Sequence, residues 1–175
     1  TVSIVGTAGR THGRITSRHK ERGERRKYRM IDFKRDKYDI PAKVASVEHD
    51  PNRGPNIALL HYADGEKRYI VAPQGLKVGN DVVFSEKTEL KPGNRMRIKH
   101  IPIGTQVYNI ELQPGRGGKL ARSAGSAVQV LAQEGKMTHL EMPSKEIRKV
   151  SYDCFASIGA VSNPSHAFEK IGKAG

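Results

Sequence analysis

Two small all-β domains in series, preceded by a basic arm, are what this sequence predicts, and three observations lead there. Short apolar runs recur about every ten residues with Gly- or Pro-containing turns between them, which is the spacing of strands in compact barrels rather than of helices. A turn cluster, Lys91-Pro92-Gly93-Asn94, divides those runs into two sets. Ahead of both sets lies a segment of dense charge and few apolar side chains. The expected organisation is therefore an arm over residues 1–27, a first β domain over 28–98 and a second over 99–175.

The arm, Thr1 to Lys27, contains Gly6, Gly9, Gly13 and Gly23 and cannot bury a core of its own, so it is expected to be extended, disordered when free and ordered along a partner. Strand-like runs begin at Tyr28 and are read at 28–30, 44–47, 57–62, 68–72 and 82–84. Asp64-Gly65 between two of them is a hairpin signal, because Gly and Asp tolerate the positive φ that a tight turn needs. Pro41, Pro51, Pro55, Pro73 and Pro92 argue against long helices in this half. The second set is read at 107–112, 127–132, 137–142, 147–150 and 157–161, with Glu134-Gly135 as another hairpin turn. Pro164 to Ile171 is the one stretch read as helical.

The chain has 175 residues, 36% of them hydrophobic, with no tryptophan, so each core is expected to be small. Its formal net charge of +13 points to a polyanionic partner. The charge is concentrated: Arg10 to Arg35 holds eleven Lys or Arg against Glu21, Glu24 and Asp32, whereas residues 126–175 carry six cations and five anions. A membrane surface fits poorly, since Arg10 to Arg29 lacks large apolar side chains at helical spacing, and no apolar run is long enough to span a bilayer. A soluble protein without a membrane partner is expected. Cys154 is alone, so it forms no intrachain disulfide and reads as a core residue.

The segment Pro114-Gly115-Arg116-Gly117-Gly118-Lys119-Leu120-Ala121-Arg122-Ser123-Ala124-Gly125 packs four glycines and three cations into twelve residues with no acid. Glycines let a polyanion approach backbone N–H groups, and Arg116, Lys119 and Arg122 supply charge, so the loop is expected to bind phosphate. A nucleotide-binding loop is disfavoured because Leu120, not Ser or Thr, follows Gly118-Lys119.

This segment resembles the Pro-Gly-x-Gly-Gly-x-Leu-Ala-Arg-Ser-Ala-Gly signature of the universal large-subunit ribosomal protein two family, of bacterial and organellar type. Further stretches are similar in the same order: Tyr28-Arg29-Met30-Ile31-Asp32-Phe33-Lys34-Arg35, Asp50-Pro51-Asn52-Arg53, Tyr62-Ala63-Asp64-Gly65-Glu66-Lys67-Arg68-Tyr69-Ile70, Ile101-Pro102-Ile103-Gly104-Thr105 and the closing run from Ile171. The resemblance implies an OB-fold-like first barrel and an SH3-like second barrel. It also implies RNA contact at Arg35, Lys37, Arg53 and Arg122. Arg116 and Lys119 in the loop, with Arg10, Arg14, Arg18 and Arg29 in and beside the arm, complete the candidate set. The bland alternative is surface ion pairing, for instance of Arg35 or Lys37 with Asp36 or Asp39; it is weakest for Arg122, which has no acid within ten positions on either side. Two departures stand out. Glu21-Arg22-Gly23-Glu24-Arg25-Arg26 replaces the family's Gly-Gly-Gly-His-Lys run. The family's leading segment and its basic tail with a His-Pro-His-Gly-Gly-Gly motif have no counterpart here, as expected of a processed, split or trimmed form, and no role of that tail's histidine is assigned to this chain.

Catalysis is not expected. His12, His19, His49, His61, His100, His139 and His166 are never three or four residues apart, and no cysteine or carboxylate cluster joins them, so neither a metal nor another cofactor is expected. No serine occupies a Gly-x-Ser-x-Gly turn. The reading is a structural constituent of the large ribosomal subunit, with large-subunit ribosomal RNA and neighbouring ribosomal components as partners and no small-molecule substrate. Its setting would be the bacterial cytoplasm, or else a mitochondrion or plastid. The alternatives are a free single-strand-binding OB-type module, stacking bases on aromatics, and an enzyme acting on RNA.

Overall fold

Apolar runs and glycine turns become strands and hairpins in the order expected. The structure, a computed structural model, describes residues 2–4, 10–16, 26–170 and 172. Within the arm β1 (Val2–Ile4), β2 (Arg10–Thr11), β3 (Arg14–Ile15) and β4 (Arg26–Tyr28) are short; β1 pairs with β4 and β2 with β3, both antiparallel. The run expected at 28–30 thus begins two residues earlier, as β4.

The first unit is built from β5 (Ala42–Glu48), β6 (Ile57–Tyr62), β7 (Lys67–Val71) and β8 (Asp81–Val82), in the antiparallel order β7-β6-β5-β8. Gly65 turns β6 into β7 with φ 87°, a conformation that a side chain would strain. A register shift between Val44 and Ser46 bends β5, which pairs with β6 on one edge and with β8 on the other, curling the sheet over Val44, Leu60, Ile70 and Val82.

The second unit joins β9 (Arg95–Arg97), β10 (Gln106–Tyr108), β13 (Val128–Glu134), β14 (Met137–Glu141), β15 (Ile147–Ser151) and β16 (Phe155–Ile158) in the order β15-β14-β13-β10-β16-β9. A separate pair, β11 (Ile110–Glu111) with β12 (Gly118–Leu120), carries the glycine-rich segment. Asn109 takes φ 49° and breaks the run expected at 107–112 into β10 and β11. Met96, Val107, Val130, Leu140 and Ile158 fill this core. β9 lies before residue 99, where the second domain was expected to start, yet it pairs with β16, and Met96 and Ile98 bury in the second core.

The fold is nearly all β, an OB-fold-like unit followed by an SH3-like one. Only two short 3-10 turns, Ile98–His100 and Pro164–Phe168, are helical among the described residues. The helix expected from Pro164 to Ile171 is thus a five-residue turn. It buries no residue, so no apolar face exists to stabilise a longer helix.

The two units share a seam. Gln74 N–H donates to the Ala160 carbonyl at 2.8 Å, Ser162 N–H to that of Ala72 at 3.1 Å, and Gly93 N–H to that of Ile158 at 3.0 Å. Tyr38, Phe84 and Phe155 pack together there, with ring centroids 4.3 Å apart for the tilted pair Tyr38–Phe84 and 4.8 Å for the edge-to-face pair Phe84–Phe155. Tyr108 is buried there and donates its hydroxyl to the Val71 carbonyl at 3.3 Å; burial pushes its ionisation up to about 12, so it stays a neutral donor. All four residues of β16 are buried because one side faces the second core and the other the seam.

Candidate nucleic-acid interface

The glycine-rich loop turns its amides inward. Gly115 N–H donates to Glu111 Oε2 and Gly117 N–H to Glu111 Oε1, each at 3.1 Å, while Gly118 N–H donates to the Phe33 carbonyl at 2.9 Å. The expectation that these amides greet a phosphate is therefore corrected: they already hold a carboxylate and a carbonyl of the chain itself. The glycines serve close approach instead. A Cβ at Gly118 would lie 2.4 Å from the Asn109 carbonyl oxygen, one at Gly125 2.8 Å from Pro164 Cα, and one at Gly117 3.2 Å from Lys34 Cα.

What the loop offers outward is its cations. Arg116, Lys119 and Arg122 are exposed, and the ion pairs formed among the described residues involve other cations. The Arg122 guanidinium lies 4.3 Å from the centroid of the Phe33 ring, with Nη1 3.4 Å from the Gly118 carbonyl. Stacking holds the guanidinium and leaves its other donors without a partner among the described residues. Lys119 and Arg122 line a cleft of about 660 Å³ at the seam, whose opposite wall includes Arg53 and Gly54 of the first unit and whose rim includes His166. Arg116 and Lys119 also line a smaller one of about 220 Å³ beside Gln113.

Arg53 is held in that cleft by its own turn. Asp50, fully buried, accepts from Asn52 N–H at 3.0 Å and from Arg53 Nε at 2.6 Å. Burial would push the Asp50 carboxyl up, but the Asn52 amide and the Arg53 guanidinium outweigh it and hold it below the usual range, so it stays ionised. The Tyr28 ring lies 5.9 Å from Arg53 Cζ. The structure thus brings Arg53, Lys119 and Arg122 together from sites far apart in sequence.

Other expected contacts lie elsewhere. Arg35 is 2% exposed, takes φ 49°, and donates Nη1 to the Gly93 carbonyl at 2.7 Å. It is a seam residue, and in this conformation no phosphate reaches it. Lys37 is ion-paired with Asp64 and Glu66 rather than with the Asp36 or Asp39 suggested by sequence; these two carboxylates raise its affinity for its proton. Asp36 instead joins Asp32 and Glu66 around Arg68. Arg29 faces Glu48 at 3.4 Å. Arg14 is exposed on β3, Arg10 is placed by its backbone on β2, and Arg18 lies outside the described residues.

Phe33 and Glu111 were not singled out by sequence. Phe33 carried no signal beyond its place in a basic run. Glu111 carried one: it is the only acidic residue between Glu89 and Glu134, a stretch with seven Lys and Arg. Its partner Arg95 is fully buried, 3.0 Å away; burial pulls this guanidinium down to about 10 against the pull of Glu111, and it remains charged at neutral pH. Cys154 is buried in the second core, and burial pushes its thiol up to about 11, which removes nucleophilic character at neutral pH.

Comparison with known families follows the two units. Residues 2–84 match the family model described as Ribosomal Proteins L2, RNA binding N-terminal domain, and residues 91–175 match that described as Ribosomal Proteins L2, C-terminal domain. The matches adjoin in the segment between β8 and β9, so the change of family model and the change of sheet occur together. With both halves matched in order along nearly its whole length, the chain belongs to the ribosomal protein L2 family, the RNA-binding structural proteins of the large ribosomal subunit.

Proposed function

We propose that the cleft at the seam is the RNA-binding site, and that the chain uses it to brace folded large-subunit ribosomal RNA. The observation that carries this reading is the trio Arg53, Lys119 and Arg122, drawn from both units onto one cleft, with Arg122 set on Phe33 and without an acidic partner among the described residues. Planar guanidinium groups held from behind can each bridge two phosphate oxygens, or a phosphate and a base edge, and Lys119 adds a point charge. Folded RNA would be recognised by shape, phosphate and 2′-hydroxyl contacts rather than by a linear base code. Cations placed between close phosphate backbones relieve their repulsion; stabilising the packed RNA in this way would support subunit association and the peptidyl-transferase region indirectly. Arg116, Arg14 and Arg29 are proposed as further contacts on the loop and beside the arm, and Arg10 and Arg18 remain candidates on their sequence alone. Neighbouring ribosomal components are the other partners, and the work is architectural rather than catalytic. The arm over 1–27 and the two β units, divided between β8 and β9, are the functional parts, and the setting is the large subunit in the bacterial cytoplasm, with an organelle as the alternative.

The test is binding of a folded ribosomal RNA fragment and of an unstructured oligonucleotide across a salt series. If about five to eight phosphates are contacted, log affinity for the folded fragment falls against log salt with a slope of roughly −4 to −7. A slope near zero would remove the electrostatic mechanism, and equal affinity for the two RNAs would favour the single-strand-binding alternative.

A further inference from the structure

One carboxylate ties the cation-bearing loop from beneath. Glu111 is 1% exposed and accepts four hydrogen bonds: Oε1 from Arg95 Nη2 at 3.0 Å and Gly117 N–H at 3.1 Å, Oε2 from Gly115 N–H at 3.1 Å and Phe155 N–H at 3.2 Å. The carboxylate thereby joins β9, β16 and the loop between β11 and β12. Arg95, buried beside it, donates Nη1 to the Asn109 carbonyl at 2.6 Å, fixing the residue that breaks β10 from β11. Backbone N–H groups converging on one anion form the nest that other proteins present to phosphate. Here the chain fills the nest with its own side chain.

We propose that Glu111 is a positioning residue for RNA binding: an internal anion that orders residues 112–117 in the free protein and so fixes where Arg116, Lys119 and Arg122 stand before RNA arrives. The inference rests on the cleft reading above. Stability alone does not call for an ion pair here, because a buried ion pair is often replaceable by apolar side chains without loss of fold. What the carboxylate supplies is a single loop conformation. A loop ordered in advance loses less freedom on binding, so more of its cations' attraction appears as affinity.

The measurements use the full chain. Amide hydrogen exchange at Gly115 and Gly117 is compared in the free protein and in its complex with a folded ribosomal RNA fragment; protection already present without RNA is expected, and protection that appears only with RNA overturns the proposal. The paired substitution Arg95→Met with Glu111→Met removes both charges together and leaves neither unpaired. It is expected to unfold cooperatively as the wild type does, to exchange both amides about tenfold faster and to bind the RNA about tenfold more weakly. Glu111→Gln, which keeps the shape and loses one acceptor oxygen, is expected to fall between. Wild-type RNA affinity in a variant whose amides exchange freely overturns the proposal. Failure of the wild type to bind the RNA overturns instead the reading of function beneath it, and is told apart because free-protein exchange is measured without RNA.

Discussion

The two β units are both cationic, but they spend their charge differently. In the first, Lys37 is ion-paired with Asp64 and Glu66, Arg68 sits among Asp32, Asp36 and Glu66, and Arg35 is buried under the seam. In the loop of the second, Arg116, Lys119 and Arg122 are exposed, and the carboxylate at the loop's base, Glu111, is turned inward to Arg95 and to backbone amides. The comparison separates charge from available charge. Exposed ion pairs add little to stability, yet each one removes a cation from competition for phosphate. Arg53 is the first unit's exception: its carboxylate partner is buried, so the pair aims the guanidinium at the cleft.

The largest effect expected is on the loop's framework. Gly118→Ala places a Cβ 2.4 Å from the Asn109 carbonyl oxygen and should cost about 3 kcal/mol or more in unfolding free energy. Gly115→Ala meets nothing within 4 Å and carries only the strain of φ +75°, about 1 kcal/mol. Denaturant unfolding of both checks this; equal effects would break the claim that the loop's glycines serve packing.

Next come the cations. Arg122→Ala should weaken binding to folded ribosomal RNA by about 1–3 kcal/mol, the scale of a lost charge-assisted hydrogen bond. Arg122→Lys keeps the charge but neither the fork nor the flat face on Phe33, so its defect should lie nearer to alanine's than to wild type. Lys37→Ala, removing a cation already engaged, should change RNA affinity by about twofold or less. Titrating the three variants at one salt concentration sharpens the comparison, and the reverse ranking would undo it.

The smallest effect is on pH dependence. Hydrogen bonds from Arg68 to Asp36, from Lys37 to Asp64, and from Arg68 and Lys37 to Glu66 hold these carboxyls below their ordinary values of 3.8 and 4.5. A carboxyl with a lowered folded-state value contributes stability that is complete above its unfolded value and is lost as pH falls through the folded one. Stability should be level from neutrality to about pH 5 and decline below about pH 4, and the Asp64→Asn, Glu66→Gln variant should decline less. A fall between pH 5 and 7 would show that another group is in control.

The strands were legible where local chemistry decides them, as at Gly65 and Gly135, and along β6 and β14, where apolar residues mark the core face. β9 and β12 were not. Arg-Met-Arg and Gly-Lys-Leu carry no strand pattern of their own and become strands because β16 and β11 present partners. The site divides the same way. Residue type placed Arg53, Lys119 and Arg122 among the candidates, but Lys37 meets partners 27 and 29 positions away in sequence, Arg68 bonds to Asp32 and Asp36 across 36 and 32 positions, and Glu111 finds Phe155 across 44. Pairing at such range is decided by the fold.

The seam has a consequence for genetics. Asn163 donates its amide to the Gly54 carbonyl at 2.8 Å, and the His166 ring lies so close that a Cβ on Gly54 would be 2.6 Å from it. Gly125 stands against Pro164, and Val161 is buried at the join. These contacts set the gap between Arg53 and Arg122 as the jaws of a caliper are set by their hinge. A screen for ribosome-assembly defects should therefore return alleles at Gly54, Gly125 and Val161 that look like lost RNA contacts, although none of the three contributes a charge.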